Sequence, residues 1–530
     1  MLERKQDFIR RDFLKASSVI AGGLLLSACT DPKKNIPVTA TNIATKFPTE
    51  TTTPTPTSTE TPTPTPEARV DGLHYLDNVP SPKELESGDI QGFDKYLNAF
   101  ETSHDEVFSR LEIRDWLVGK DGEEKQLKDA KGNPLVVVVD KETQIPLLYA
   151  KQNEEKVWKW NRATLRDYAE LNDMIIESIV GVDGRRADPI NEIVNKIVIA
   201  GAFDMTQFFR SFGPYHWDKV LENWDEIITK INKGEKLSEF TYNKVGLREM
   251  TEQVEKYNVK IRAQHLLYGI DVPASIRYGG YTHEEIEKLA EFTVKFRVNE
   301  YKDMVETWDI ADEVVNSHYY GGDTWNFWMV RLGGYKEMTL KVARWVKEVD
   351  PNAKLVVNED NVLDNSFPQQ PFQRRKFIEL LEYLKENGVE DVGVVVENNL
   401  WIFDPPTFEG NYSVRSRLKE ILEVGYPFVG GETTIVVSDD YPSWGGRPKS
   451  IWGVEDRYKA QEEMYVDLFQ SYLDVGIKAF GFGVWADAYA WQKLIGSEDS
   501  DPCIFDDNAE PKKVYYRLIG LLNSNLIKNS

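Results

Sequence analysis

The chain has 530 residues, of which 41% are hydrophobic, and its 64 Lys and Arg stand against 87 Asp and Glu for a formal charge of −23. That is enough apolar material for a large core with attachments, and the negative charge disfavours nucleic acid or an anionic membrane surface as a partner, leaving a neutral polymer or a small molecule. The 14 Trp, 24 Tyr and 24 Phe suit a core or an aromatic groove equally, and the six His and two Cys show no zinc-type spacing.

Arg10-Arg11-Asp12-Phe13-Leu14-Lys15 has the form of a twin-arginine export signal. The apolar stretch from Val19 to Leu26 behind it is too short for a permanent bilayer-spanning helix. Leu26-Ser27-Ala28-Cys29 resembles a bacterial lipoprotein box in which Cys29 becomes the lipidated first residue, so residues 1–29 are expected to serve export and anchoring, and membrane contact is expected through that lipid alone. Cys503 then has no disulfide partner within the chain. Residues 30–67, rich in Thr and Pro, bury too little surface to offset their ordering entropy and read as an extended spacer.

Residues 68–158 are expected to form an N-terminal extension packed on the main domain, with a charged helical part around Phe93 to Leu117. Two apolar runs, Leu135–Val139 and Ile145–Tyr149, are spaced as a hairpin. From 159 to 530, short apolar strands alternate with amphipathic helices. Candidate strands are Met174–Val180, Lys260–His265, Met304–Asp309, Lys354–Asn358, Val392–Glu397, Pro427–Gly431 and Ile477–Val484. Thr282 with Glu285 makes a capping box, and Phe377, Leu380, Leu381 and Leu384 recur at helical spacing, as do Val342, Trp345, Val346 and Val349. With no glycine-rich phosphate fingerprint, this alternation predicts a (β/α)8 TIM barrel, whose chemistry sits at the C-terminal ends of its strands. Glu313 and Glu432 close two apolar runs and should open onto that face. Two carboxyl groups across a sugar are the minimum equipment for glycoside hydrolysis.

An ordered series of motifs supports this. Thr164-Leu165-Arg166 opens it; Arg262-Ala263-Gln264-His265, Trp308 to Glu313, Asp350 to Leu355 with Asn358, and Glu432-Thr433-Thr434-Ile435 come next. Lys459-Ala460-Gln461 through Tyr465, Asp487 to Trp491, and Phe505-Asp506 with Pro511-Lys512 and Tyr515-Tyr516 complete it. In order and content the series resembles glycoside hydrolase family 10, the endo-β-1,4-xylanases. The resemblance implies a retaining double displacement on xylan or a related neutral polysaccharide, with Glu313 as acid/base, Glu432 as nucleophile, their carboxyl groups about 5–5.5 Å apart, and no metal or organic cofactor. It also implies sugar contacts from His265, Asp312, Glu397, Asn399, Trp485 and Trp491.

The departures bear on specificity. Asp312 replaces the family's Asn before the acid/base, and Glu397 and Asn399 stand where the family has Q-x-H. The E-N-x-x-K sugar clamp has no clear equivalent; Glu222-Asn223-Trp224 is a candidate in the wrong register, and Tyr268 stands for a Trp. Two alternatives to a xylanase are a carbohydrate-binding lipoprotein without turnover and a glycosidase of altered substrate class on the same barrel. The extra carboxylates at 312 and 397 are expected to raise the apparent pKa values of the cluster.

Overall fold

The computed structural model describes residues 111–114, 116–118, 124–140, 145–152, 158–180, 193–199, 209, 212–237, 240, 259–320, 322–363, 370–402, 408, 410, 413–437, 457–490 and 501–529. Cys29, the spacer and Trp491 lie outside them. No described helix is long and apolar enough to cross a membrane.

The N-terminal part is antiparallel. Strands β1 (Leu111–Arg114), β4 (Leu135–Asp140), β5 (Pro146–Gln152) and β6 (Trp158–Arg162) form one sheet in the order β1-β4-β5-β6, and β2 (Trp116–Val118) pairs with β3 (Glu124–Gln126). The expected hairpin is present as β4 and β5, with Leu135 opposite Lys151. At the end of the segment expected to be helical, 111–114 and 116–117 are instead strand, while 93–110 and 115 lie outside the described residues. Strand β6 runs across the expected boundary at 158/159. The sheet is tied to the chain at 168–171: Ala130 N donates to Leu171 O at 2.8 Å, and the rings of Tyr149 and Tyr168 meet edge to face at 6.0 Å.

Eight parallel strands then build the (β/α)8 barrel: β7 (Ile175–Val180), β8 (Lys196–Ile199), β9 (Lys260–Ala263), β10 (Thr307–Asp312), β11 (Lys354–Asp360), β12 (Val392–Trp401), β13 (Glu432–Val436) and β14 (Ala479–Phe482). Their spatial order is β13-β12-β11-β10-β9-β8-β7-β14. Where β13 meets β14, Gly483 N donates to Thr433 O at 3.0 Å. The backbones are close there because Gly431 faces Gly481; a Cβ on Gly481 would lie 1.8 Å from Gly431 O. Glycine is therefore needed at the closure.

The principal helices are α1 (Leu165–Leu171), α2 (Pro214–Glu222), α3 (Trp224–Asn232), α4 (His283–Tyr301), α5 (Val314–Tyr320), α6 (Tyr335–Val349), α7 (Gln370–Glu386), α8 (Val414–Leu422), α9 (Arg457–Asp474) and α10 (Lys513–Asn529). Thr282 and Glu285 cap α4 reciprocally as expected. The apolar stripes of α6 and α7 are buried in one core with the outer faces of the strands.

Three strand expectations change, the first being that β10 begins at Thr307 rather than Met304 and runs on to Asp312. β8 was not anticipated: a four-residue run opened by a lysine carries a weak pattern, and Lys196 is tolerated inside because Glu177 lies 3.6 Å away. The run Pro427–Gly431 makes only an isolated bridge at Phe428, and regular pairing begins at Glu432, because Gly430 and Gly431 pass too close to Glu177 and Gly481 to carry side chains. Inside the barrel, Arg262 joins Glu177 (3.1 Å) and Asp309 (2.8 Å), all three completely buried. Burial pushes Asp309 up to about 7 against the pull of Arg262. An ionic cluster thus occupies space that branched aliphatic residues usually fill.

Candidate active site

Glu313 sits one residue past β10, where a register shift between Asp309 and Ala311 turns the strand end. Its φ is +46°, in the left-handed region where a side chain costs on the order of 1–2 kcal/mol. The elbow is held on both sides. Glu313 N donates to Asn358 O at 3.0 Å, and Glu359 accepts from Val315 N and Asn316 N, both at 2.9 Å, at the start of α5. A buried carboxylate thus satisfies the first free amides of the helix directly after Glu313.

Glu432 begins β13 and is in register with Glu397 of β12. Both are buried, as is Asp312 at the end of β10. Three side chains stitch the cluster together. Asn358 Nδ2 donates to Asp312 Oδ1 at 2.7 Å and to Glu397 Oε1 at 2.5 Å; Gln264 Nε2 donates to Asp312 Oδ1 at 3.2 Å; Tyr268 Oη donates to Glu313 Oε2 at 2.7 Å.

Glu313, Glu432, Glu397 and Asp360 all resist ionisation, chiefly because they are buried. Glu313 is held well above its ordinary value by burial and then by the charges of Asp360 and Asp312, with the Tyr268 hydrogen bond opposing. Glu432 is pushed up to about 8 by burial and Asp312, while Arg262 and the neighbouring Glu397 and Gln264 side chains pull it down. Glu397 is held well above its ordinary value by burial and then by Glu432, Glu313, Asp312 and Asp360. Beside Glu313, Asp360 is raised to about 6, chiefly by burial, and accepts from Gln373, Asn316 and Asn361.

The structure brings together Asp312, Glu313, Glu397 and Glu432 with His265, whose Nδ1 is 3.9 Å from Asp312 Oδ2 and whose ring meets Tyr268 edge to face at 4.3 Å. Asn399 lies two residues along β12 on the face of Glu397 and accepts from Thr434 Oγ1 at 2.6 Å. Trp485 is buried, and its ring meets that of Phe505 edge to face at 5.5 Å. Glu222, Asn223 and Trp224 lie at the junction of α2 and α3, outside the strand ends, so the clamp candidate falls away.

Gln264, the Tyr268 hydroxyl, Asn358 and Arg262 were not anticipated as site groups. Each stands inside or beside one of the sequence motifs, but their convergence on the carboxyls is a product of the barrel. Among the described residues, no group of three or more His, Cys, Asp or Glu has the geometry to hold a metal ion.

The profile of Glycosyl hydrolase family 10 matches residues 219–520, more than half of the chain. The chain belongs to this family. Among curated relatives, a beta-1,4-xylanase of Dictyoglomus thermophilum is 26% identical over 320 residues, covering 58% of this chain and 84% of that enzyme. An endo-1,4-beta-xylanase B of Thermotoga neapolitana is 24% identical over 307 residues, covering 57% and 79%. Among solved structures, xylanase 10B of Thermotoga petrophila RKU-1, in complex with xylobiose, superposes with a TM-score of 0.53 at 20% identity, over 69% of this chain and 99% of that one. As a family 10 member the chain is a divergent glycoside hydrolase on the family's barrel, and its unusual carboxylates at 312 and 397 lie at the centre of the strand-end cluster.

Proposed function

We propose that the chain is a retaining endo-β-1,4-glycanase acting on xylan or a related neutral polysaccharide, with Glu432 as nucleophile and Glu313 as general acid and base. In the first step the Glu432 carboxylate attacks the anomeric carbon. The bond from that carbon to the leaving oxygen breaks, and Glu313 gives its proton to that oxygen. In the second step Glu313 takes a proton from water, which attacks the same carbon and releases Glu432.

The observation that carries the reading is the contrast in what faces the two glutamates. Asp312 raises both, but Arg262 draws Glu432 towards its ionised form, whereas Glu313 is faced also by Asp360 and Glu359 and has the Tyr268 hydroxyl opposing them. One environment suits a nucleophile and the other an acid that keeps its proton. The relatives that are named xylanases support the substrate class.

Glu432→Ala should lower turnover on xylan by more than about 10⁴-fold. Azide should restore part of the rate on an activated aryl glycoside and yield a glycosyl azide of inverted configuration. Wild-type-like rates in the variant, or azide rescue with retained configuration, would remove the assignment.

A further inference from the structure

Resting on that catalytic reading, we propose that Glu177 is a positioning residue for the nucleophile: its buried carboxylate holds the backbone amide of Gly431 and so fixes the chain directly before Glu432. Gly431 N donates to Glu177 Oε1 at 2.9 Å, and Arg262 Nη2 lies 3.1 Å from the same oxygen. One carboxylate oxygen thus ties the residue before the nucleophile to the cation on β9.

The strand layout explains why this place needs a side-chain acceptor. Regular pairing of β13 with β12 begins at Glu432, and the preceding contact with β12 is the isolated bridge at Phe428. Gly430 and Gly431 lie in the interval and are buried, so an amide there must find its partner outside the ladder. Glu177 stands on β7, with β14 between it and β13. Its register partner on β14 is Gly481, which has no side chain to block the reach across to Gly431. A Cβ on Gly430 would lie 1.9 Å from Glu177 Oε1, so the carboxylate occupies the space that a side chain at 430 would take. Glu177 is completely buried, and Arg262 at 3.1 Å and Lys196 at 3.6 Å balance its charge. An aliphatic side chain at 177 would fill the barrel as well, but it would leave the Gly431 amide without this acceptor.

The test uses the full chain in a Lys196→Met background, so that no buried lysine loses its partner, and compares Glu177→Gln with Glu177→Met. The Gln amide oxygen still accepts from Gly431 N; the Met side chain, of similar length, does not. On dinitrophenyl β-xylobioside, Glu177→Met should lower kcat by about tenfold or more while KM and inhibition by xylobiose stay within about twofold, and Glu177→Gln should recover most of that loss. Equal kcat in the two variants, or a loss carried wholly by KM, would overturn the proposal. Gly430→Ala keeps every charge of the cluster and drives the carboxylate off the amide, so it should show a similar loss in kcat even where Glu177→Met fails to fold; wild-type kcat in Gly430→Ala would equally overturn the proposal.

Hydrogen exchange provides a readout independent of turnover. In the Lys196→Met background, the Gly431 amide should exchange about tenfold or more faster in Glu177→Met than in Glu177→Gln; equal exchange overturns the proposal. If exchange differs but the parent chain cleaves no glycoside, the amide anchor stands and the hydrolytic reading falls. If glycosides are cleaved and exchange is equal, the proposal alone falls.

Discussion

Glu313 follows β10 and Glu432 opens β13 of one barrel, yet the two positions are built from opposite materials. Around Glu432 the backbone is glycine-rich and pressed against β14, with Arg262 behind it and Gln264 beside it. Around Glu313 the backbone is a left-handed elbow, and its neighbours are carboxyls, Asp312 within β10 and Glu359 and Asp360 at the end of β11. Burial raises both groups. Asp312 acts on both, and what separates them is the remaining charge, Arg262 opposing it at Glu432 and Asp360 adding to it at Glu313, so one barrel interior can suit two identical side chains to different tasks.

After Glu432→Ala, removing the proton donor should give the largest effect. Glu313→Gln should lower turnover on xylan by about 10²–10⁴-fold, with a much smaller loss in the first step on a dinitrophenyl glycoside. Reducing-sugar release and dinitrophenolate release measure the two, and equal losses on both substrates would break the division of labour.

Next comes the cation on the Glu432 side. Arg262→Met leaves Glu177 and Asp309 buried without their partner, and should cost about 3–5 kcal/mol of stability in urea unfolding. Since Arg262 also lowers the pKa of Glu432, the acidic limb of whatever activity survives should move up. A loss below about 1 kcal/mol would show that those carboxyls are already neutral.

Asp312 raises both glutamates, so it tests whether they share one field. Activity needs Glu432 ionised and Glu313 protonated: the rate falls as pH drops through the first group and as it rises through the second. Removing a charge that raises both should therefore move both limbs of the kcat/KM profile of Asp312→Asn down, by about one unit each. Movement of one limb alone would confine Asp312 to that side.

The smallest effect is expected from Tyr268→Phe. Its hydroxyl bond holds the pKa of Glu313 down, so losing it should move the alkaline limb up by about 0.5–1 unit and leave the acidic limb in place. A shift of the acidic limb would mean that Tyr268 acts on Glu432 as well.

Strands such as β7, β11 and β12, the stripes of α6 and α7, and the capping box of α4 were legible because each depends on residues a few positions apart. The two glutamates and the two unusual acids were legible too, because the motifs that contain them are local. β8 was not, since a lysine in a barrel strand makes sense only once Glu177 lies beside it, and the two come from different strands. The contact of Trp485 with Phe505, twenty residues further on, was not legible either.

The sequence by itself therefore determined the alternating strand and helix periods, the order of the motifs, the identity of the acidic residues and their departure from the family pattern. Only the tertiary structure decided what those acids face. The in-register pairing of Glu397 with Glu432, the reach of Asn358 to two carboxyls and the placement of Arg262 join residues 35 to 170 positions apart. Such pairings are set by strand register and barrel closure, and the field at a buried carboxyl depends on distances through space that no local pattern encodes.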